Sequence, residues 1–499
     1  MKWLKKNIKE GVVDINIKSS EIVLGLITTV GTDTENVVRY MKDHLAKFSY
    51  STEIINVSSE ILKNFEEQEP TINSEYERIK HYMDLGNRVR SERKDATIIM
   101  KGVASHILSK RDSIEEPSPR EKVAYIIKSI KHPEEADYLK QVYGDGFHLI
   151  GITGDVSNRK KFLTDVKAMT PTQAEELMDR DSDEIDDFGQ HTQDAFQNSD
   201  YFINVGDDLE EIKNCVFRLI DLLFGNPFIT PTFDEYAMFM AYAASLRSAD
   251  LSRQIGAVIT KNNEILSTGV NDCPKYTGGL YWQIHDNNQY YDEPDGRDYM
   301  LGFDSNKIEQ TKIIDQILKN LSLENSKENI NKIKKAGIGS LTEYGRVVHA
   351  EMEAILACAR NNISSRGAVM YATTFPCHNC AKHIIAAGIN KVVYIEPYPK
   401  SKALDFYKQE ISTVLTDENK KVVFTPFSGV GPRRYIDLFA MSSTKWGAKK
   451  RKEKDGNKIE WQRENASIRN PMRAMTYLDY ENVAYLNYYD EIKGEHEDE

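Results

Sequence analysis

The chain has 499 residues and a mass of 57.1 kDa, which leaves room for two or three domains, each with its own core. Its net charge of −12 repels polyanions as a whole and argues against a general affinity for DNA or RNA. No apolar run reaches the roughly eighteen residues of a membrane helix, and the lysine-rich start from Met1 to Lys6 lacks a following apolar core, so a soluble, cytoplasmic protein without a membrane partner is expected.

The first feature in chain order, Glu21 to Thr34, is an apolar strand running into a Gly/Thr-rich turn, followed by a helix from about Glu35 to Lys47. A phosphate loop has this layout, because glycines let backbone N–H groups close round phosphate at a helix N-terminus. Gly25, Gly31 and Thr32 are therefore candidate nucleotide contacts. The motif is defective: five residues instead of four separate the glycines, and Thr32-Asp33 stands where the phosphate-binding lysine and its Ser/Thr should be.

Strands at Val123 to Ile127 and Phe147 to Thr153, with helices between and after them, predict a parallel sheet. Arg180-Asp181, Gln190-His191 and Phe196 resemble the mobile arm and closing strand of the nucleotide kinases. A first domain over 1–225 is expected to end near Leu223, with Gly225-Asn226-Pro227 as its linker. Lacking the cation that neutralises phosphates, it reads as a regulatory module that binds a nucleotide, or as a structural relic, rather than as a phosphoryl-transfer catalyst.

Further along, Gly256 to Thr260 and Glu264 to Val270 are β-branched runs joined by Lys261-Asn262-Asn263, a hairpin pattern. A long stretch follows, about 275–343, rich in aromatics and charges, which reads as a lid, an oligomer contact or a solvated excursion. Gly367 to Thr374 is then a strand, Cys377 to Ala387 a helix and Lys391 to Glu396 another strand.

The chemistry concentrates in His349-Ala350-Glu351 and Pro376-Cys377-His378-Asn379-Cys380, the H-x-E…P-C-x-x-C pattern of zinc deaminases. His349, Cys377 and Cys380 would fill three corners of a zinc tetrahedron, leaving the fourth for a water that the metal acidifies. Glu351 is placed to shuttle protons. The rival reading is a structural zinc knuckle with His378 as a fourth ligand. The remaining cysteines, Cys215, Cys273 and Cys358, are an odd number and are expected to be reduced.

From Phe233 to Pro397 the chain resembles the cytidine/deoxycytidylate deaminase superfamily, the deoxycytidylate branch most closely, through those motifs, Ser252 to Ile259 and Ser267 to Asn271. The resemblance implies a three-layer α/β/α domain, here over 230–440, and an overall α/β class. It also implies substrate contacts at Asn271, more weakly at Arg253, and at Ala350 and Thr373. One departure is Glu353, where the family often has asparagine.

The order of domains, with Ser428 to Tyr435 after the deaminase segment, resembles the two-domain bacterial anti-phage deoxycytidylate deaminases over nearly the whole chain. That resemblance implies deamination of free dCTP and dCMP, a homo-oligomer, and restraint by a nucleotide at the N-terminal domain, an RNA or a protein. Gly429 to Arg434 reads as a glycine turn offering two guanidiniums to phosphate, or as a surface loop. Residues 441–499 read as a charged extension whose basic cluster, Lys445 to Lys452, is a solvated face or a phosphate site; the acidic runs Asp179 to Asp187 and Glu495 to Glu499 read as solvated. Two other functions fit the residues: a polynucleotide deaminase, which should show a basic groove with exposed aromatics, and a non-catalytic nucleotide sensor.

Overall fold

The computed structural model describes residues 20–66, 70–114, 117–182, 189, 191–206, 208–398, 401–414, 417, 420–443, 447–472 and 474–493. The Met1 to Lys6 start, most of the acidic run after Ser182, Gln190, Lys445, Trp446 and the acidic terminus lie outside them. Two compact units result, Met1–Pro231 with Ser428–Glu499, and Thr232–Phe427.

The first unit is built on β1 (Ile22–Thr28), β2 (Ser51–Asn56), β3 (Val123–Ile130), β4 (Phe147–Thr153) and β5 (Tyr201–Asn204), all parallel in the order β5-β4-β1-β3-β2. The buried run IVLGLI makes β1 the centre, as continuous apolar strands do when both faces are covered. Helices α1 (Glu35–Ala46), α2 (Glu75–Arg93), α3 (Ile98–Ser109), α4 (Pro133–Tyr143), α5 (Pro171–Ser182) and α6 (Leu209–Leu223) connect the strands. The parallel sheet expected from sequence is present.

Three expectations in this unit are corrected. Gly25 is not in a loop: it lies within β1, where a Cβ would come within 2.6 Å of Ile130 and 2.8 Å of Phe147, so it is a packing glycine. Arg434 does not reach for phosphate but is buried, donating to Asp200 at 3.1 Å and to the Phe147 carbonyl at 2.7 Å. Residues 428–440, assigned by sequence to the deaminase segment, belong here instead, with Gly429–Val430 pairing antiparallel to β5.

The segment read as a charged extension is also integral to the first unit. Its helix Ala474–Lys493 packs on α3, and Glu481 receives Arg111 Nε at 2.7 Å while Arg111 Nη1 holds Glu21 at 3.0 Å. All three side chains are fully buried, and such groups persist only when paired. Within the basic cluster, Arg451 donates to the Pro227 carbonyl at 2.7 Å, so part of it serves folding.

His148 gives this unit a pH dependence. Both its ring nitrogens are buried without a hydrogen-bond partner among the described residues, and burial, reinforced by Arg434, holds its pKa well below the ordinary 6.5. The unfolded chain takes up a proton that the folded unit refuses, so stability is complete above pH 6.5 and falls below it by about 1.4 kcal/mol per pH unit. Denaturant unfolding compared at about pH 7.5 and 5.5 should show a smaller loss in His148→Gln than in the parent.

The second unit begins with α7 (Phe233–Ser245), whose Thr232 and Glu235 form a reciprocal cap. Strands β6 (Gly256–Lys261) and β7 (Glu264–Val270) pair antiparallel through Asn262 and Asn263, both at positive φ, which is the two-residue turn asparagine tolerates. Helix α8 (Ser305–Asn320) lies in the long inserted stretch, and α9 (Ala350–Arg360), β8 (Val369–Thr374), α10 (His378–Ala386), β9 (Lys391–Glu396), β10 (Ile411–Ser412) and β11 (Val422–Pro426) follow. The sheet runs β10-β11-β9-β8-β6-β7.

Alternation along the central strands sets the layers. Ala257, Ile259, Met370 and Ala372 pack under α9 and α10 in one core, while Gly256 abuts Ala241 of α7 on the other face. The result is three layers, α/β/α, as expected.

Candidate functional site

Helix starts position every group that carries chemistry. His349 is the extended residue (φ −68°, ψ 152°) immediately before α9, and Cys377 holds the same position before α10 (φ −66°, ψ 164°). Both helices sit on the same face of β8 and β6, which brings the two starts together. His349 Nδ1 stands 3.4 Å from Cys377 Sγ and 3.3 Å from Cys380 Sγ, and the three donor atoms lie within 4.8 Å of one another. Cys377 Sγ also accepts the Cys380 N–H at 3.4 Å, a helix-terminal contact that favours thiolate.

The electrostatics follow from this crowding. Its hydrogen bond to Cys380, aided by His349, brings the Cys377 thiol down to about 4, and its bond to Cys377 lifts His349 to about 9. Cys380 is pushed well up by Cys377 and by burial. Glu351 is buried, and burial raises its carboxyl above the usual range, which suits a group that must both take and return a proton.

The donor set fits zinc: one imidazole and two thiols converge from helix starts, without a fourth protein ligand among the described residues. His378, the fourth ligand of the structural-knuckle reading, is outside the group and packs its ring edge-to-face with that of Phe406. A three-ligand set leaves the open position that catalytic zinc requires.

A cavity of about 360 Å³ opens over this cluster, and His349, Glu351, Cys377 and Asn271 line it. The inserted stretch supplies much of its opposite wall, including Asp304, Asn306, Lys307 and Gln310 of the α8 start. Asn306 and Gln310 donate to the Leu341 carbonyl at 2.8 and 2.7 Å, which ties α8 to the segment leading into His349. A fixed cavity wall is none of the three expectations for this stretch, a lid, an oligomer contact or a solvated excursion, and it is what the residues near the α8 start form.

The other sequence candidates fall out unevenly. Asn271 lines the cavity, yet its carboxamide accepts the Ile255 N–H at 2.7 Å and donates to the Arg253 carbonyl at 2.7 Å, leaving one N–H. Arg253 also lines it, half-exposed and paired with Glu396 at 2.5 Å. The Ala350 side chain is buried in the core, so its contribution is limited to a backbone N–H of the first helical turn. Thr373 is a correction: its hydroxyl accepts the Gly256 N–H at 3.1 Å and does not line the cavity. Its neighbour Thr374 does, bonded to Glu396 at 2.9 Å. The two-residue period of β8, which puts Thr374 with Met370 and Ala372, was the signal that could have selected it. Glu353 pairs with Arg360, away from the cavity lining.

Gly269 keeps α9 in place. A Cβ there would lie 2.1 Å from the Ala350 carbonyl and 2.4 Å from the Ala354 nitrogen, both backbone atoms. Gly269→Ala is therefore expected to cost about 1–3 kcal/mol or more and to displace the His349 end of α9, read as a lowered unfolding midpoint together with reduced zinc content.

The model of the cytidine and deoxycytidylate deaminase zinc-binding region matches residues 231–396. The deoxycytidylate deaminase of Enterobacteria phage T2 is 37% identical over 163 residues, covering 33% of this chain and 79% of that protein. The deoxycytidylate deaminase of Mus musculus is 27% identical over 164 residues, covering 32% and 63%. Among solved structures, the dCMP deaminase of cyanophage S-TIM5 in complex with dCMP and dUMP is 20% identical, with a TM-score of 0.23 over 40% of this chain and 99% of that one. Three converging metal donors, a buried glutamate beside them and a relative matched over most of its length agree: through its second unit the chain belongs to the cytidine and deoxycytidylate deaminase family and is a zinc-dependent hydrolytic deaminase.

Proposed function

We propose that the chain hydrolyses the exocyclic amine of free deoxycytidine nucleotides, dCMP and dCTP, giving the deoxyuridine nucleotides and ammonia. The observation that carries this reading is the buried Glu351 in one cavity with His349 and Cys377 of the donor cluster, a cavity that Lys307 and Arg253 also line. Zinc, when bound, supplies a water acidified enough to attack the ring at neutral pH. Glu351 takes the first proton of the attacking water and passes it to N3, then carries the remaining hydroxyl proton to the amine, so that the C4–N bond breaks, ammonia leaves and the C4 carbonyl forms. Asn271 positions the sugar through its one unspent N–H, and the cations at the rim hold the phosphate.

The net charge of −12 favours free nucleotides over polymers. Incubation with dCMP, dCTP and cytosine-containing single-stranded oligonucleotides tests this: uracil should form in the mononucleotides. Turnover of the oligonucleotide alone would overturn the reading in favour of a polynucleotide deaminase.

On the two-domain resemblance we further read the activity as depletion of cytosine deoxynucleotides in anti-phage defence, by a homo-oligomer whose first unit restrains it through a bound nucleotide. Cells carrying the parent chain should plate phage less efficiently than cells carrying Glu351→Ala. Equal plating would remove the defence role and leave the chemistry untouched.

A further inference from the structure

The phosphate-loop segment of the first unit is already occupied by this chain's own carboxylate. Asp181, nearly fully buried, accepts the Val30 N–H at 2.7 Å and Lys131 Nζ at 2.7 Å, with the Thr192 hydroxyl at 3.1 Å. Lys131 also donates to the Thr28 carbonyl at 2.7 Å. Over Gly31, a Cβ would meet the Arg159 carbonyl at 2.7 Å. A loop N–H and Lys131 are thus spent on an internal anion rather than offered to a phosphate.

Thr28 to Thr32 and Thr34 of this same loop line a cavity of about 260 Å³. One wall is apolar and aromatic, with Leu62, Ile79, Tyr82, Met83 and Phe162. The other carries charge in a telling balance. Arg78 is paired with Glu75 at 3.0 Å and Arg90 with Glu135 at 2.7 Å, while Lys131 is held by Asp181. Lys128 and Lys167 also line the cavity, and among the described residues neither has a carboxylate at ion-pair distance; Lys167 acts electrostatically on Glu75, helping to lower its carboxyl, and lies 5.5 Å from the Phe162 ring.

Lys128 reaches the cavity through a fault in the sheet. The register of β1 against β3 skips Ser129, pairing Leu26 with Lys128 and Ile27 with Ile130, and Ser129 has a φ of +79°. A strand normally sends consecutive side chains to opposite faces, but this bulge puts both Lys128 and Ser129 on the cavity. A non-glycine residue in that conformation costs about 1–3 kcal/mol, which marks sites where strain serves binding.

We propose that this cavity binds a nucleoside monophosphate, its dianionic phosphate between Lys128, Ser129 and Lys167 and its base along the Tyr82 and Phe162 wall. Two lysines without a carboxylate at ion-pair distance match the charge of one phosphate monoester, and apolar and polar groups line the cavity together, as in a small-ligand pocket. This deepens the regulatory-nucleotide reading above and rests on it for its role, though not for the site.

The test uses the full-length, zinc-loaded protein in calorimetric titrations with dTMP, dAMP and dGMP, their triphosphates and inorganic phosphate. At least one monophosphate should bind saturably, more tightly than its triphosphate and than inorganic phosphate. Lys128→Glu and Lys167→Glu should each weaken it roughly tenfold or more, with the unfolding midpoint kept; Lys128→Gln serves if the charge reversal unfolds the unit. Absence of saturable monophosphate binding, equal binding of inorganic phosphate, or binding indifferent to both lysines overturns the site. Deamination rates with and without the bound monophosphate separate the two claims: a ligand that binds through Lys128 but leaves the rate unchanged sustains the site and refutes the regulatory role.

Discussion

Replacing Glu351 by alanine should leave the zinc content of the protein unchanged and reduce kcat by roughly 10²–10⁴-fold, the usual worth of a positioned acid/base group. The carboxylate is not among the converging donor atoms, so its loss leaves the imidazole and both thiols in place. It is buried, and its carboxyl is raised by that burial, which places it in the cavity as the group suited to carry the proton. Metal analysis and single-substrate kinetics on the same preparation decide the point. Full ammonia release from Glu351→Ala would show that the proton travels by another route.

Cys377→Ala and Cys380→Ala should behave differently, losing metal and turnover together. Each removes one of three protein ligands, and two remaining donors cannot hold zinc against the buffer. The Cys377 substitution is the cleaner probe, because its side chain is half-buried whereas Cys380 lies in the core with Ala381 and Ile384. Cys380→Ala should therefore also lower the unfolding midpoint, while Cys377→Ala acts mainly through the metal. Retention of stoichiometric zinc in Cys377→Ala would remove it from the ligand set.

How legible all this was in the sequence depends on the range of the interactions. The His349 and Cys377 motifs, the β6–β7 hairpin and β1, β8 and β9 are written in local spacing, and they stand where the spacing put them. Gly25 was misread because a packing glycine inside a strand looks like a loop glycine until Ile130 and Phe147 are placed against it. Arg434 was misread for a similar reason: its partners, Asp200 and the Phe147 carbonyl, lie more than two hundred residues away in sequence.

The cavity wall built by α8 was equally out of reach, since nothing local in Asn306 or Lys307 points to His349. Thr373 and Thr374 differ in a way that sequence could have settled, by counting alternation from Met370. Asp181 is the least legible of all. Its meaning comes from the Val30 N–H it accepts across 151 residues, which turns a damaged phosphate loop into a loop closed by its own chain.

The most direct test of the central claim is a zinc titration of metal-stripped protein followed by dCMP deamination at each step. Activity should be absent without metal and rise linearly to a plateau at one zinc per chain, and Cys377→Ala should stay flat throughout. Deamination that proceeds without zinc, or that returns fully in Cys377→Ala, would contradict the assignment of His349, Cys377 and Cys380 as the catalytic metal centre.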